Sequence, residues 1–192
     1  LLIKPLIDAG LIDSQASLFC SAVSGYSGGG RQMIESFESK NFDAREKIAV
    51  QDYALDLQHK HLPEMTKYSG LEKDPIFLPS VANYYKGMII RIPIMVDLLN
   101  QSSPDDVVAC LKARYTGSKF IRVCDFNENS HLESGRLAPT NCNDTNFMDL
   151  MIFGKATQIV LIARYDNLGK GAAGAAVQNL NIMLGKPEAT GL

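Results

Sequence analysis

The stretch Ser17-Leu18-Phe19-Cys20-Ser21-Ala22-Val23-Ser24-Gly25-Tyr26-Ser27-Gly28-Gly29-Gly30-Arg31 organises the reading of this 192-residue chain. Ser17 to Val23 is a short, apolar run of the kind that forms a buried strand, and Gln32 to Phe37 has helical character. A glycine-rich loop therefore joins a strand to a helix. Its glycines permit positive φ angles and let backbone amides approach a ligand or another chain segment closely. The loop lacks the lysine-serine ending of a nucleotide P-loop, so a purely structural turn competes on equal terms with a binding role. Arg31 favours binding, because a guanidinium grips a carboxylate or phosphate through two hydrogen bonds.

Upstream of this stretch, Leu1, Leu2, Ile3, Leu6 and Ile7 set an apolar helical pattern with no capping residue ahead of it, and the natural chain is expected to extend further. Pro5 either kinks that helix or occupies its first turn, and Gly10 closes it. Downstream, Tyr53, Leu55, Leu57, His59 and His61 take alternate positions, which predicts a strand with both histidines on one face. Pro63 and Glu64 then suit the first turn of a helix.

Further strands are predicted at Ile76–Val81, Met88–Val96, Phe120–Cys124, Phe147–Phe153 and Gln158–Arg164. Pro93 demotes part of the second of these towards an edge or a bulge. A helix runs from Pro104 to Tyr115 behind Ser103 as its cap. Asn127 to Asn146 is polar and aperiodic, as a long and partly mobile surface excursion would be. Ala172, Ala173, Ala176, Val177, Leu180, Met183 and Leu184 form one stripe of a last, long helix. Strands and helices do not alternate strictly, which predicts an α+β fold: a mixed, mainly antiparallel sheet covered by helices.

Composition narrows the function. Nineteen basic against 21 acidic residues, with no basic block, argue against a nucleic-acid partner. No apolar run is long enough for a membrane helix, and the expectation is a cytoplasmic protein. Cys20, Cys110, Cys124 and Cys142 are scattered, so neither a disulfide framework nor a zinc site is indicated.

The sharpest chemical cluster is His59-Lys60-His61-Leu62-Pro63-Glu64, where two imidazoles and a carboxylate one turn away supply a proton carrier and a group to orient it. Metal binding by His59, His61 and Glu64 lacks a further ligand at suitable spacing, and no metal is expected. Asn167-Leu168-Gly169-Lys170 opens the last helix, where free amides attract anions or where small residues serve tight packing. Lys86-Gly87 lies between two strands, as a ligand-facing loop or a plain hairpin connection.

Taken in order, Ser24 to Gln32, Leu57-Gln58-His59-Lys60-His61-Leu62-Pro63-Glu64-Met65 and Asp166-Asn167-Leu168-Gly169-Lys170-Gly171-Ala172-Ala173-Gly174 resemble the N-acetyl-gamma-glutamyl-phosphate reductase family. Phe77-Leu78-Pro79-Ser80-Val81 resembles its shorter, second type; Ser80 stands where the first type has a histidine. The resemblance implies reduction of N-acetyl-glutamyl 5-phosphate by NADPH to the semialdehyde, in arginine biosynthesis, through a cysteine thiohemiacetal and thioester. Related reductases act on aspartyl or aminoadipyl phosphates, and the isolated chain, read as a substrate-binding and oligomerisation module, is expected to be inactive.

By the same resemblance, the nucleophilic cysteine belongs to a segment just before a helix like Leu1 to Ile12, and none of the four cysteines present matches it. The resemblance makes His61 the acid/base and Glu64 its orienter. It gives Ser27, Gly28, Arg31, His59 and Lys86 to the substrate, and Asn167 and Gly169 to the cofactor. Residues 1–165 become a catalytic and oligomerisation domain resembling that of glyceraldehyde-3-phosphate and semialdehyde dehydrogenases. Residues 166–192 become a helix that packs back on a dinucleotide-binding domain, and the assembly is a homo-oligomer, dimer or tetramer.

Overall fold

The computed structural model describes residues 1–38 and 49–192. Strands β1 (Phe19–Gly25), β2 (Val50–Asp52), β3 (Ile76–Ala82), β4 (Met88–Met95), β5 (Ile121–Phe126), β6 (Met148–Lys155) and β7 (Gln158–Tyr165) form one sheet in the order β2-β3-β1-β4-β7-β6-β5. β1 runs parallel to β3 and β5 to β6, while the other neighbours are antiparallel. The expected mixed, mainly antiparallel sheet is what forms.

β4, β7 and β6 make the longest ladders, from Met88↔Tyr165↔Met148 at one end to Met95↔Gln158↔Lys155 at the other. Alternation along them separates two faces. Ile92, Leu161 and Ile152 stand side by side in register and belong to the main core. That core also takes Leu2 and Leu6 from the N-terminal helix α1 (Lys4–Asp8), Leu62 from α3 (Leu62–Ser69), and Val107 and Leu111 from α4 (Pro104–Tyr115). The opposite face carries a smaller cluster of Ile89, Cys124, Met151 and Ile162, with Leu137 of the 127–146 excursion packed against it.

Local chemistry explains the element ends. Ser103 and Asp106 form a reciprocal capping box on α4, with Pro104 in its first turn. Pro5 likewise stands in the first turn of α1, and Gly10 turns the chain at φ 73°. Pro93 lies in a central strand and pairs in register with Val160, but the β1 ladder on its other side stops at Ser21↔Arg91. The edge expected there is therefore local, since proline has no amide with which to extend that ladder.

One expectation needs correction. Residues 53–61 do not form a strand: β2 ends at Asp52, and positive φ at Ala54 (51°) and Leu57 (57°) turns the chain before α3. The last helix begins with a π-helical turn (Gly169–Ala173) and continues as α5 (Gly174–Met183). Its apolar stripe is not packed on the sheet. Leu180 is 53% exposed and Met183 82%, and the residues of α5 that are buried are Gly174 and Asn181.

Leu161→Ala should lower unfolding free energy by about 2–5 kcal/mol, because its fully enclosed site between two ladders cannot collapse around the missing atoms. Leu180→Ala should stay within roughly 0.5 kcal/mol in this chain. Urea unfolding of both variants measures the contrast.

Candidate active site

The register gathers the ends of five strands at one end of the sheet. Ser24 lies opposite Val81 and Met88, Met88 opposite Tyr165, and Tyr165 opposite Met148. The glycine-rich turn, the Asn83–Gly87 loop, the Asn143–Phe147 turn and the start of the last helix therefore emerge side by side. The Asn83–Gly87 loop crosses the end of β1 to join β3 to β4, so it is not a plain hairpin connection, one of the two expectations for it. A 3-10 turn (Tyr26–Gly29) leads from β1 into α2 (Gly30–Glu38).

These loops are bonded to one another. Gly25, Tyr26 and Ser27 donate their amides to the carbonyls of Gly87, Tyr84 and Tyr85 at 2.9, 2.9 and 3.0 Å. A Cβ on Gly25 would stand 2.5 Å from the Tyr85 oxygen, so glycine is required there by close backbone approach. Asn167 spans the two loops: its Oδ1 accepts the Gly87 N–H at 2.7 Å, and its Nδ2 donates to Ser27 Oγ at 3.1 Å. A Cβ on Gly28 would press on that Nδ2 at 3.2 Å. The structure thus brings together Ser27, Gly28, Lys86, Asn167 and Gly169.

Some of their polar groups are already engaged. Gly169 donates its amide to Asp166 Oδ1 at 3.0 Å, which takes that N–H away from a cofactor. Lys86 pairs with Asp144 and lies 3.7 Å from Asp166, and the hydrogen bond to Asp144 is the main reason its pKa is raised. Arg31 is fully out in solvent, paired with Glu35 at 2.6 Å one helical turn on.

The histidines form a second group. His59 packs edge-on against Phe77 at 5.0 Å and His61 at 4.9 Å, so a turn brings the two rings together where a strand was expected. Phe77 is five residues from the Ala82 end of β3, roughly 17 Å at about 3.3 Å per residue. No hydrogen bond or ion pair among the described residues links the two groups. His61 precedes α3 as its N-cap residue, and Glu64 lies in the first turn without bonding to it.

His59 Nδ1 accepts the His61 backbone N–H at 3.2 Å, which places the ring proton of the neutral form on Nε2. Burial, then the charges of His61 and Lys60, lowers the His59 pKa and favours that neutral form.

An open cleft of about 310 Å³ crosses the helix-covered face. Leu1, Lys4, Glu64 and Cys20 line it, as do Met148 and Tyr165 at the four-loop end. The cleft thus carries the start of α1 beside Glu64.

The four thiols are poor nucleophiles. Burial pushes Cys20 and Cys124 up to about 12 and Cys142 to about 11, and it raises Cys110 as well. Among the described residues, no three or more His, Cys, Asp or Glu side chains gather as metal ligands do.

Sequence reasoning missed an ionic network under the 127–146 excursion. Asp149 is fully buried on β6, where its cross-strand partner Arg164 donates to it from Nε at 3.1 Å and Nη2 at 2.7 Å. Arg122 of β5 donates at 2.6 Å, and the Cys142 thiol at 3.1 Å. Arg164 also reaches the Ala138 carbonyl at 3.3 Å and His131 Nδ1 at 3.1 Å. The excursion is thereby tied to the sheet at Cys142, Ala138 and His131. The signal was present in the sequence as charged residues inside apolar strands.

Burial opposes ionisation of Asp149, but the hydrogen bonds from Arg164, Cys142 and Arg122 outweigh it and hold the carboxyl below its ordinary range. Its folded pKa lies below the unfolded one, so its contribution is complete above the unfolded value of about 4 and is lost as pH falls through the folded value. Asp149→Ala should cost about 3–5 kcal/mol at pH 7, since Arg164 is left buried and unpaired. That cost should shrink below about pH 4 in denaturant titrations at stepped pH.

Comparison with known proteins completes the description. A family model described as semialdehyde dehydrogenase, dimerisation domain, matches residues 1–167. N-acetyl-gamma-glutamyl-phosphate reductase 2 of Nostoc sp. is 42% identical over 199 residues, covering 99% of this chain and 61% of its own length. The protein of the same name from Pseudomonas putida is 39% identical, with 99% of this chain and 60% of its own length covered. The chain spans about 60% of the length of these curated relatives. Among solved structures, aspartate semialdehyde dehydrogenases from Vibrio cholerae and Francisella tularensis superpose with TM-scores of 0.64 and 0.65, each at 14% identity. Each alignment covers 95% of this chain, with 58% and 61% of the respective structures, and shows a shared fold.

Proposed function

Because the chain belongs to the family of semialdehyde dehydrogenase dimerisation domains, we propose that it is the catalytic-domain portion of an N-acetyl-gamma-glutamyl-phosphate reductase. The complete cytoplasmic enzyme uses NADPH to convert N-acetyl-glutamyl 5-phosphate to the 5-semialdehyde, releasing NADP and phosphate. The reductases named above, aligned over 99% of the chain, support this substrate over other acyl phosphates. The observation that carries the reading is the cleft in which Leu1 and Lys4 meet Glu64, because it sets the entry to α1 beside the helix that His61 begins.

In this reading a cysteine supplied by sequence upstream of α1 is the nucleophile, since the buried thiols present are held protonated. His61 is exposed at its helix terminus and free to exchange a proton with that nucleophile and the leaving group. Glu64, one turn on, orients it when substrate closes the site. His59, kept neutral, offers Nε2–H to a substrate oxygen. Ser27, Arg31 and Lys86 face the substrate's anionic groups from the glycine-rich end.

NADPH supplies the hydride when bound. Asn167 fits its carboxamide end, because one of the two Nδ2 hydrogens is used on Ser27 and the other remains to donate. The exposed stripe of α5, with Leu180 and Met183, is the surface that packs on the dinucleotide-binding domain. The sheet face bearing Val23, Phe153 and Val160 pairs with a second copy to form the homo-oligomer.

In the full-length enzyme, NADPH oxidation should follow N-acetyl-glutamyl phosphate and fall away with aspartyl phosphate; the reverse preference would reassign the substrate. His61→Ala should lower kcat by ~100-fold or more. Near-normal turnover in that variant removes His61 from the mechanism.

A further inference from the structure

We propose that Asp166 is a positioning residue whose buried carboxylate locks the Lys86–Gly87 loop and the Asn143–Asn146 turn onto Asn167, and so aims the Asn167 carboxamide at the cofactor. The inference rests on the reductase reading above.

Asp166 follows β7 directly and is 1% exposed. Its Oδ1 accepts the amides of Leu168 at 2.9 Å and Gly169 at 3.0 Å, which sets the direction in which the chain leaves the sheet. Its Oδ2 accepts the Asp144 amide at 2.9 Å and lies 3.7 Å from Lys86 Nζ. One side chain therefore joins three segments that are remote in sequence. Burial pushes this carboxyl up, but the amides of Gly169, Asp144 and Leu168 outweigh it and keep the group ionised.

Asn167 sits inside this junction, fixed at Gly87 N and Ser27 Oγ. The surroundings leave it no slack. The Asn143 carboxamide donates to the Lys86 carbonyl at 2.8 Å, and a Cβ on Gly87 would stand 2.6 Å from the Pro139 oxygen. A Cβ on Gly169 would stand 2.9 Å from the Thr145 oxygen. A shift of the Lys86–Gly87 loop or of the turn must therefore move Asn167.

The test is Asp166→Asn in the full-length enzyme. Asparagine keeps an oxygen for Leu168 and Gly169 but turns an amide donor towards two other donors, the Asp144 N–H and the Lys86 ammonium. Fluorescence titration should show NADPH bound about tenfold more weakly, and hydrogen exchange should accelerate at Asp144. A role confined to holding the fold lowers the folded fraction and leaves the Kd of the folded enzyme unchanged. An unchanged Kd with wild-type exchange overturns the proposal.

If the variant does not fold, exchange in the wild-type enzyme decides. The amides of Asp144, Leu168 and Gly169 open together if one carboxylate holds them, whereas independent opening refutes the junction. A wild-type enzyme that binds NADPH but does not reduce the acyl phosphate counts against the function proposed above, and the Kd and exchange measurements still judge Asp166.

Discussion

The β4–β7–β6 ladder is the constraint on which the rest of the molecule depends. Its unbroken register from Met88↔Tyr165↔Met148 outward turns the alternation of three strands into two faces with different duties. One face buries Ile92, Leu161 and Ile152 under the helices, and the other buries the Asp149–Arg164 pair under the excursion. The same register brings the end of β7 level with the starts of β4 and β6. A slip of one residue would exchange the faces, exposing the core column and burying charges against helices.

From that register the loops inherit their positions. The Lys86–Gly87 loop, the glycine-rich turn and the last helix meet because their strands end together, and Asn167 and Asp166 convert that proximity into fixed geometry. Two buried carboxylates serve different ends in this arrangement. Asp149 is satisfied by side-chain cations and fastens a long excursion to the sheet, whereas Asp166 is satisfied mainly by backbone amides and sets where the chain goes next. Both must be fully bonded, because an ionised group in such surroundings is tolerated only with its partners in place.

The histidine group obeys a different logic. Tyr53, Leu55 and Leu57 alternate as a half-buried strand does, yet all three are substantially exposed and the chain turns through them. Period-two spacing reports which side chains share a surface, and an apolar surface awaiting cover gives the same pattern as a strand facing a core. Left-handed φ at Ala54 and Leu57 had no glycine to announce it. The stripe of the last helix marks a helix by its period, and Leu180 and Met183 stand exposed along it.

What the sequence by itself determined is local and periodic: every strand of the sheet except β2, the Ser103 cap, the proline-started helices, the glycine loop, and the order of motifs that marks the family. Those follow from backbone sterics, side-chain alternation and capping chemistry, which act between near neighbours. The tertiary structure alone decided that Gly169 gives its amide to Asp166, that Lys86 is held by two aspartates, and that His59 meets His61 through a turn. It also decided that Arg122 and Arg164 share the carboxylate of Asp149. Each of these depends on which strands become neighbours, and hydrogen bonds between residues far apart in the chain exist only once the register has placed them within reach.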